Sequence, residues 1–408
     1  MKYVLVIGDG MADFPVKELG GKTPLQAAKK PIIDNLAKKG IVREVKTVPD
    51  GVAPGSDTAI LNIFGYDPRK YYTGRSPLEA AGSGVKMVEG NVSFRCNLAA
   101  ITEDGDEYEA QTMLSHSGGA IDGEDAKKLM FELLETPSFK AILDKYGMSF
   151  TVNPSYRHIA VLKTGSANVE TTPPHDILTR PIKDYLPKGE GDRMLREIMA
   201  ESWKILKTLP INNARRAAGK LPANSLWFWG QGSAVMLSSF EKKYGHDGDA
   251  ITAVPLVAGI ADLAGLKHTE VEGATGEIDT NYQGKVDTAL RALENHDFAA
   301  IHVEAPDECG HAGNAEEKVR AIELIDEKVF VPLLSGLEKL GDFRILFLSD
   351  HYTPIITRTH DGTPVPFMLY DSRKDTGNDL PYTEEAAAKG GDRLEEGCEL
   401  MGLLFESK

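Results

Sequence analysis

Four short stretches of the sequence carry Asp, His and Ser side chains of the kinds that bind divalent cations. Each places these side chains at the end of a predicted strand. The stretches are Gly8-Asp9-Gly10, Pro54-Gly55-Ser56-Asp57-Thr58, Asp307-Glu308-Cys309-Gly310-His311 and Ser349-Asp350-His351, with His360 following shortly after. Together, their nitrogen and oxygen donors favour a pair of divalent cations, with manganese or zinc preferred over calcium.

Each of these patterns also has a simpler interpretation when it is considered alone. Asp9 lies in a Gly-Asp-Gly sequence that is typical of an ordinary turn. Asp307 and His311 would share one face of a helix, but the glycine between them is equally compatible with a loop. Asp350 and His351 are compatible with a helix N-cap and a surface imidazole. Only the combination of all these side chains indicates a metal centre.

Ser56 precedes the apolar residues Ile60, Leu61 and Ile63, a pattern that predicts a loop running into a helix. Its hydroxyl would therefore lie near a helix N-terminus, where backbone N–H groups favour an anion. One interpretation is an N-cap that bonds only to the backbone. The other is a nucleophile toward phosphorus, because a neighbouring metal ion would lower the pKa of the hydroxyl.

The two ends of the chain have the pattern of a doubly wound, mostly parallel α/β sheet. Continuous apolar runs predict buried strands over Tyr3–Ile7, Phe298–Val303, Phe343–Leu348 and Pro366–Tyr370, and a helical pattern covers Ala315–Leu340. Alternation of this kind is typical of an α/β layer. In such sheets ligands bind outside the carboxyl ends of the strands, so we expect the cation ligands from both ends of the chain to converge there.

The middle of the chain predicts a smaller α+β domain inserted into this layer. Its predicted strands and helices are Asn91–Ala99, Tyr156–Lys163, Glu124–Leu134 and Arg193–Leu209. We therefore expect residues 1–83 and 223–408 to form a metal-binding domain and residues 84–222 to form the inserted substrate domain. A cleft between two domains is the default position for a ligand site.

Composition excludes several classes of partner. The chain has 46 basic and 61 acidic residues, for a net charge of −15, and its Lys and Arg residues form no run that would follow a nucleic-acid backbone. Its three cysteines form no CxxC pair, which indicates a reducing compartment. The apolar run at the N-terminus is too short for a signal peptide or a membrane span. We therefore expect a cytoplasmic protein without nucleic-acid or membrane partners, whose oligomeric state the sequence leaves open.

Eight motifs, in order along nearly the whole chain, resemble one known family. They are MKYVLVIGDGMAD, APGSDTA, YYTGRSPLEAAG, SFRCNLA, GATGEIDTNYQGK, VEAPDECGHAGN, LSDHYTP and THDGTPVPF. The family is that of the 2,3-bisphosphoglycerate-independent phosphoglycerate mutases of the archaeal type, within the alkaline phosphatase superfamily. The resemblance implies an alkaline phosphatase-like domain that carries two metal ions and the serine, with an insertion that helps to hold the substrate.

The same resemblance implies a role for each residue of the metal centre. One cation would be bound by Asp307, His311 and His360, and the other by Asp9, Ser56, Asp350 and His351. Lys285, in the NYQGK motif, would place a positive charge near the transferred phosphoryl group. The expected metal is manganese, with zinc, cobalt or magnesium as alternatives.

Substrate recognition is assigned to the insertion and to the segment that precedes it. Arg75, Arg95 and Arg157 would bind the carboxylate or phosphate of the substrate, a task that suits the fork of a guanidinium group. His158 is a further substrate-binding candidate beside Arg157. For His158, as for His116, a structural or surface imidazole is the alternative interpretation.

The implied activity is the interconversion of 3-phosphoglycerate and 2-phosphoglycerate through a phosphoserine at Ser56, without 2,3-bisphosphoglycerate as a cofactor. Alternatives within the superfamily are a homoserine kinase-like phosphotransferase and a metal-dependent phosphohydrolase. The chain contains no GxxxxGK[ST] loop, which favours the mutase over an ATP-dependent kinase. A non-catalytic metal-binding protein is the alternative outside the enzymes.

Overall fold

The computed structural model describes residues 1–406, which fall into two compact units. Met1–Tyr72 and the chain from Leu237 onward form the first unit, and Thr73–Met236 form the second. The second unit is wider than the predicted insertion, 84–222. The helix Arg75–Gly82 and the strand Ser225–Ser233 both lie in it, because each packs on the strand Val92–Ile101.

The strands alternate with helices in the first unit and form an antiparallel sheet and one two-stranded pair in the second. In chain order they are β1 (Lys2–Gly8), β2 (Ile41–Val45), β3 (Val92–Ile101), β4 (Met113–Ser115), β5 (Met148–Thr151), β6 (Arg157–Leu162), β7 (Val169–Glu170), β8 (Lys188–Gly189), β9 (Ser225–Ser233), β10 (Gly248–Ile251), β11 (Lys267–His268), β12 (Phe298–Val303), β13 (Phe343–Leu348) and β14 (Val365–Asp371).

The α-helices range from single turns to about four turns. They are α1 (Pro24–Ala27), α2 (Pro31–Lys39), α3 (Ser56–Ile63), α4 (Pro68–Tyr71), α5 (Arg75–Gly82), α6 (Gly123–Glu135), α7 (Pro137–Tyr146), α8 (Asp192–Leu206), α9 (Pro210–Ala217), α10 (Phe240–Tyr244), α11 (Pro255–Leu263), α12 (Tyr282–Asn295), α13 (Ala305–Ala312), α14 (Ala315–Leu324), α15 (Val331–Leu340), α16 (Glu384–Lys389) and α17 (Leu400–Phe405). The helix predicted over Ala315–Leu340 is α14 and α15 joined by the π-helical segment Ile325–Phe330. Among residues 1–406, no helix is long and apolar enough to span a membrane.

The first unit contains a seven-stranded sheet in the order β11-β10-β12-β1-β13-β14-β2. The pairs from β11 to β13 are parallel, and the two pairs that involve β14 are antiparallel. Side chains alternate between the two faces of a strand. Val4 and Val6 on one face of β1 are buried, as are Leu5 and Ile7 on the other, so helices or loops cover both faces. The predicted α/β class with a mostly parallel sheet is confirmed.

The second unit has an antiparallel sheet around the long strand β3, which pairs with β4, β6 and β9. Helices α6, α7 and α8 supply apolar residues to its core, among them Leu129, Phe139 and Trp203. Trp227 on β9 is fully buried in the same cluster. This separate core agrees with the predicted α+β character of the middle of the chain.

Candidate active site

Asp9 and Asp350 follow neighbouring strands at the same edge of the large sheet. Asp9 comes directly after β1 and Asp350 shortly after β13, and these strands are parallel partners, so their carboxyl ends lie side by side. Asp350 Oδ1 accepts hydrogen bonds from the backbone N–H groups of Gly10 at 3.1 Å and His351 at 2.9 Å. Asp9, Asp350 and His351 are all buried.

Ser56 is the first residue of α3, and the N-cap position belongs to Gly55. The serine Oγ lies 3.1 Å from His351 Nε2 and 3.5 Å from Asp9 Oδ2. Its hydroxyl therefore faces the buried Asp and His side chains instead of capping the helix. The position at a helix N-terminus also makes the surrounding backbone favourable for an anion.

The remaining predicted ligands form a second group around α13. Asp307 and His311 lie one turn apart on this helix. Of the two structures that the sequence allowed for this segment, it therefore adopts the helix and not the loop. His311 Nε2 lies 3.2 Å from Asp307 Oδ2 and 3.0 Å from His360 Nε2. His311 Nδ1 lies 3.0 Å from the carbonyl oxygen of Arg358, which orients the other ring nitrogen toward the group.

The donor atoms suit two divalent cations. Ligand atoms of Asp9, Asp350 and His351 lie within 4.8 Å of one another, as do those of Asp307, His351 and His360. Asp9 Oδ1 and Asp350 Oδ2 are buried and accept no hydrogen bond from residues 1–406. Burial and then the charges of Asp350 and Asp307 raise the pKa of Asp9 well above its usual value. Bound cations would satisfy these orphaned oxygens and offset the concentrated negative charge.

His302 on β12 is a site residue that sequence analysis missed. Its Nε2 lies 2.9 Å from Asp9 Oδ2 and its Nδ1 lies 3.1 Å from Thr252 Oγ1. Burial, and then the charge of Lys285, lowers the pKa of His302 to about 3, so the ring is neutral and donates from Nε2 to the carboxylate. A histidine near the end of an otherwise apolar strand, beside a predicted ligand strand, was the available signal.

Lys285 lies on α12 with its side chain fully buried. Its Nζ donates a hydrogen bond of 2.9 Å to the carbonyl oxygen of His302. Burial lowers the pKa of Lys285 to about 8, and the charge of Glu304 opposes this shift. The Lys285 amine therefore contacts the backbone of β12 at His302, the residue whose ring contacts Asp9.

The second unit contains a polar pocket of ≈ 530 Å³ in which the three predicted arginines meet. Arg95 Nε bonds Glu79 Oε2 at 2.9 Å, and its guanidinium carbon lies 3.9 Å from the centre of the Trp229 ring. Arg75 Nε bonds the other oxygen of Glu79 at 2.8 Å. The lining residues are Arg75, Arg95, Asn97, His116, Arg157, His175 and Trp229. Arg75 and Arg95 share one carboxylate and Arg157 adds a third guanidinium group, an excess of positive charge that favours an added anion.

Comparison with known proteins identifies the family. A family profile described as 2,3-bisphosphoglycerate-independent phosphoglycerate mutase matches residues 37–212. A probable 2,3-bisphosphoglycerate-independent phosphoglycerate mutase of Geobacter sulfurreducens is 45% identical, with 100% of both chains covered. The chain belongs to the 2,3-bisphosphoglycerate-independent phosphoglycerate mutases. The resemblance drawn from the motifs is therefore confirmed.

A further relative agrees with this family, and two solved structures share the fold. The 2,3-bisphosphoglycerate-independent phosphoglycerate mutase of Methanothrix thermoacetophila is 44% identical over 99% of this chain and 100% of its own. The structure is similar to that of a Pyrococcus horikoshii protein, with a TM-score of 0.81 and 28% identity over 99% of this chain and 96% of that one. A cofactor-independent phosphoglycerate mutase of Thermoplasma acidophilum shares the fold, with a TM-score of 0.65 and 24% identity over 99% of this chain and 98% of that one.

His158 does not line the arginine pocket. It neighbours Arg157 on β6, so its side chain points to the opposite face of the strand. The ring is buried, with its Nδ1 3.2 Å from the backbone N–H of Asn153, and burial lowers its pKa to about 4. These features are those of a structural imidazole, which is the alternative interpretation that the sequence left open for His158.

Two histidines of the arginine pocket, His116 and His175, have no functional assignment from the sequence. For His116 the sequence favours a structural or surface imidazole, and His175, which follows two prolines, carries no signal of function. Their ring centroids lie 6.2 Å apart, and His175 lies 5.4 Å from Trp229. The pattern of the chain gave no signal that distant loops would bring them to the arginines.

Proposed function

We propose that this protein interconverts 3-phosphoglycerate and 2-phosphoglycerate through a phosphoserine at Ser56, without 2,3-bisphosphoglycerate. The observation that carries the proposal is the position of Ser56 Oγ, 3.1 Å from His351 Nε2 and 3.5 Å from Asp9 Oδ2 at the start of α3. Relatives with the same full-length coverage are named as mutases, which supports the choice of reaction.

Two divalent cations complete the proposed site. Asp9, Ser56, Asp350 and His351 would hold one, and Asp307, His311 and His360 would hold the other. His351 also lies within reach of the second group. Bound cations would lower the pKa of the serine hydroxyl and offset charge on the phosphoryl oxygens. Manganese is the expected metal, and zinc, cobalt and magnesium are the alternatives.

Ser56 performs the covalent step in this proposal. Its Oγ loses a proton and attacks phosphorus in line, so a new P–O bond forms at the serine while the bond to the glycerate oxygen breaks. The departing glycerate oxygen gains a proton. In the second half the other hydroxyl of glycerate attacks the phosphoserine, which restores Ser56 and yields the isomer. The N-terminal backbone of α3 favours the anionic group throughout.

The arginine pocket of the second unit supplies substrate recognition in this proposal. Glu79 and the Trp229 ring hold Arg95 in a defined orientation, so its guanidinium group loses little freedom when it binds an anion. Arg75 and Arg157 add two further cationic groups. We assign them the carboxylate or phosphate of the phosphoglycerate. The second unit thereby retains glycerate and limits hydrolysis.

Lys285 is assigned an electrostatic role behind the site. Its amine bonds the carbonyl oxygen of His302, whose ring in turn holds Asp9. A positive charge at this depth stabilises the anionic groups in front of it more strongly than an exposed lysine would.

The test is a phosphoryl-transfer assay with phosphate-labelled 3-phosphoglycerate, added manganese and no 2,3-bisphosphoglycerate. We expect the wild type to form 2-phosphoglycerate and to carry label on Ser56, and Ser56→Ala to do neither. Ser238→Ala, which changes an exposed serine, should behave like the wild type. Normal isomerisation by Ser56→Ala would refute the proposal. Release of inorganic phosphate alone would indicate a hydrolase, and activity only with homoserine and ATP would indicate a kinase.

A further inference from the structure

Thr353 connects the two groups of predicted cation ligands. Its Oγ1 lies 2.5 Å from Asp307 Oδ1 and 3.2 Å from His351 Nδ1. The residue is fully buried, so water does not compete for these contacts. Asp307 belongs to the group on α13, and His351 lies beside Asp9 and Ser56. One hydroxyl therefore contacts a member of each group.

The chemistry of these partners decides which atom carries each proton. A ligating carboxylate is ionised and only accepts hydrogen bonds, so the Thr353 hydroxyl must donate its single proton to Asp307. Its oxygen then accepts from His351, which requires the proton of that imidazole to be on Nδ1. The Nε2 lone pair is left facing Ser56 Oγ at 3.1 Å and Asp350 Oδ2 at 3.2 Å. Such a cluster of lone pairs needs a cation or a proton between its members.

Gly10 and Gly310, both in the motifs, leave the space that Thr353 occupies because they have no Cβ. A Cβ on Gly10 would lie 2.6 Å from Thr353 Oγ1 and 2.6 Å from Asp307 Oδ1. A Cβ on Gly310 would lie 2.5 Å from the carbonyl oxygen of Thr353 and 2.8 Å from its Cγ2. All four distances are shorter than those that real Cβ atoms make, so a larger residue at either position would displace Thr353.

The backbone of Thr353 is held by a buried ion pair. Lys318 Nζ donates a hydrogen bond of 2.8 Å to the Thr353 carbonyl oxygen and another of 2.8 Å to Asp13 Oδ2. Lys318 is fully buried, and Asp13 also accepts from the backbone N–H of Ile355 at 3.1 Å. These contacts fix the threonine carbonyl and the backbone two residues further along, which restricts the direction of its hydroxyl.

We propose that Thr353 is a positioning residue that couples the two cation sites by orienting Asp307 and by keeping His351 in the tautomer with a free Nε2. The inference rests on the proposed function in treating these side chains as cation ligands. Partners of this kind behind metal ligands change metal affinity by roughly 10–100-fold when they are removed. Thr353 differs from the other such partners here because it contacts both groups.

The test is a titration of metal-free protein with Mn²⁺ by isothermal calorimetry, using Thr353→Val and Thr353→Ser as a matched pair. Valine keeps the shape and removes the hydroxyl, so we expect binding about 10–100-fold weaker than in the wild type. Serine keeps the hydroxyl and should bind close to the wild type. Equal affinity of Thr353→Val and the wild type would overturn this inference alone. Failure of the wild type to bind Mn²⁺ would overturn the proposed function, and with it the inference.

A second measurement does not depend on the folding of the valine variant. Long-range ¹H–¹⁵N correlation spectra of the wild type loaded with diamagnetic Zn²⁺ report which nitrogen of each imidazole carries the proton. We expect the His351 signals, assigned by comparison with His351→Gln, to show a proton on Nδ1. A proton on Nε2 would overturn the proposal.

Discussion

The two units each gather ionic side chains in one place, but with opposite charge and by different means. In the first unit, carboxylates and imidazoles at the ends of parallel strands form a buried site that suits cations. In the second unit, arginines from the antiparallel sheet and α5 line an open pocket that suits an anion. Asp350 has no exposed surface, whereas the Arg75 side chain is 42% exposed.

This difference shows what each kind of sheet provides. Parallel strands bring all their carboxyl ends to one edge, so residues far apart in sequence meet at one point, which is what a metal ion requires. An antiparallel sheet presents a broad face, where long side chains such as arginine reach a larger ligand. The first site therefore depends on burial and fixed geometry, and the second on charge and reach.

The largest expected effect comes from the buried carboxylates. Asp350→Asn should lose one bound Mn²⁺ per chain and lower kcat by about 10³-fold, because it removes a ligand charge beside the nucleophile. Metal content by mass spectrometry of the purified protein and steady-state kinetics would measure both. Asp249→Asn is the matched control, since Asp249 is also buried with an unpartnered oxygen but lies on β10 outside the ligand groups. An equal loss in both variants would show that burial alone explains the effect.

A smaller effect is expected in the pocket of the second unit. Arg95→Gln should raise KM for 3-phosphoglycerate by roughly 10–100-fold, as expected for the loss of a charged hydrogen bond of about 1.5–3 kcal/mol. Mn²⁺ affinity should be unchanged. Arg193→Gln, at an exposed position on α8 of the same unit, is the control. If Arg95→Gln loses metal and keeps its KM, the contrast between the two sites is wrong.

His302 tests how far the buried site depends on its supporting residues. His302→Ala removes the donor to Asp9 and should weaken Mn²⁺ binding by about tenfold, at the lower end of the effects seen for such partners. Calorimetric titration of the metal-free variant would measure this change. KM should follow the loss of metal and recover at saturating Mn²⁺. An elevated KM that persists at saturating Mn²⁺ would contradict a purely supporting role.

The smallest effect on activity is expected at His158. His158→Phe should leave kcat and KM unchanged because the ring lies outside the pocket. Its folded-state pKa of about 4 lies below the unfolded value of about 6.5, so the unfolded state takes up a proton first as the pH falls. The wild type should lose about 2 kcal/mol of unfolding free energy through this residue between pH 7 and pH 5. Urea unfolding at both pH values should show a smaller loss in the variant, and an equal loss would contradict the assignment.

Much of the arrangement of the first site was predictable because its candidate ligands lie in short motifs next to apolar strands. The strands at Tyr3–Ile7 and Phe343–Leu348 were recognisable as continuous apolar runs, and Asp9 and Asp350 each come two residues after the run ends. His302 escaped detection because one polar residue in an apolar strand is ordinarily a core residue. In the second unit, Arg95 was found only through its motif, and the pattern around His175 carried no comparable signal.

By itself, the sequence determined the fold class, the strands of the central sheet and the mutase family, and it singled out the candidate cation ligands. These properties depend on local patterns and motifs, which a linear chain displays directly. Only the tertiary structure decided that Ser56 faces the ligands instead of capping α3, that His158 turns away from the pocket, and that Thr353 bridges Asp307 and His351. The reason is that side-chain direction and contacts between distant segments arise from packing, which no single stretch of sequence encodes.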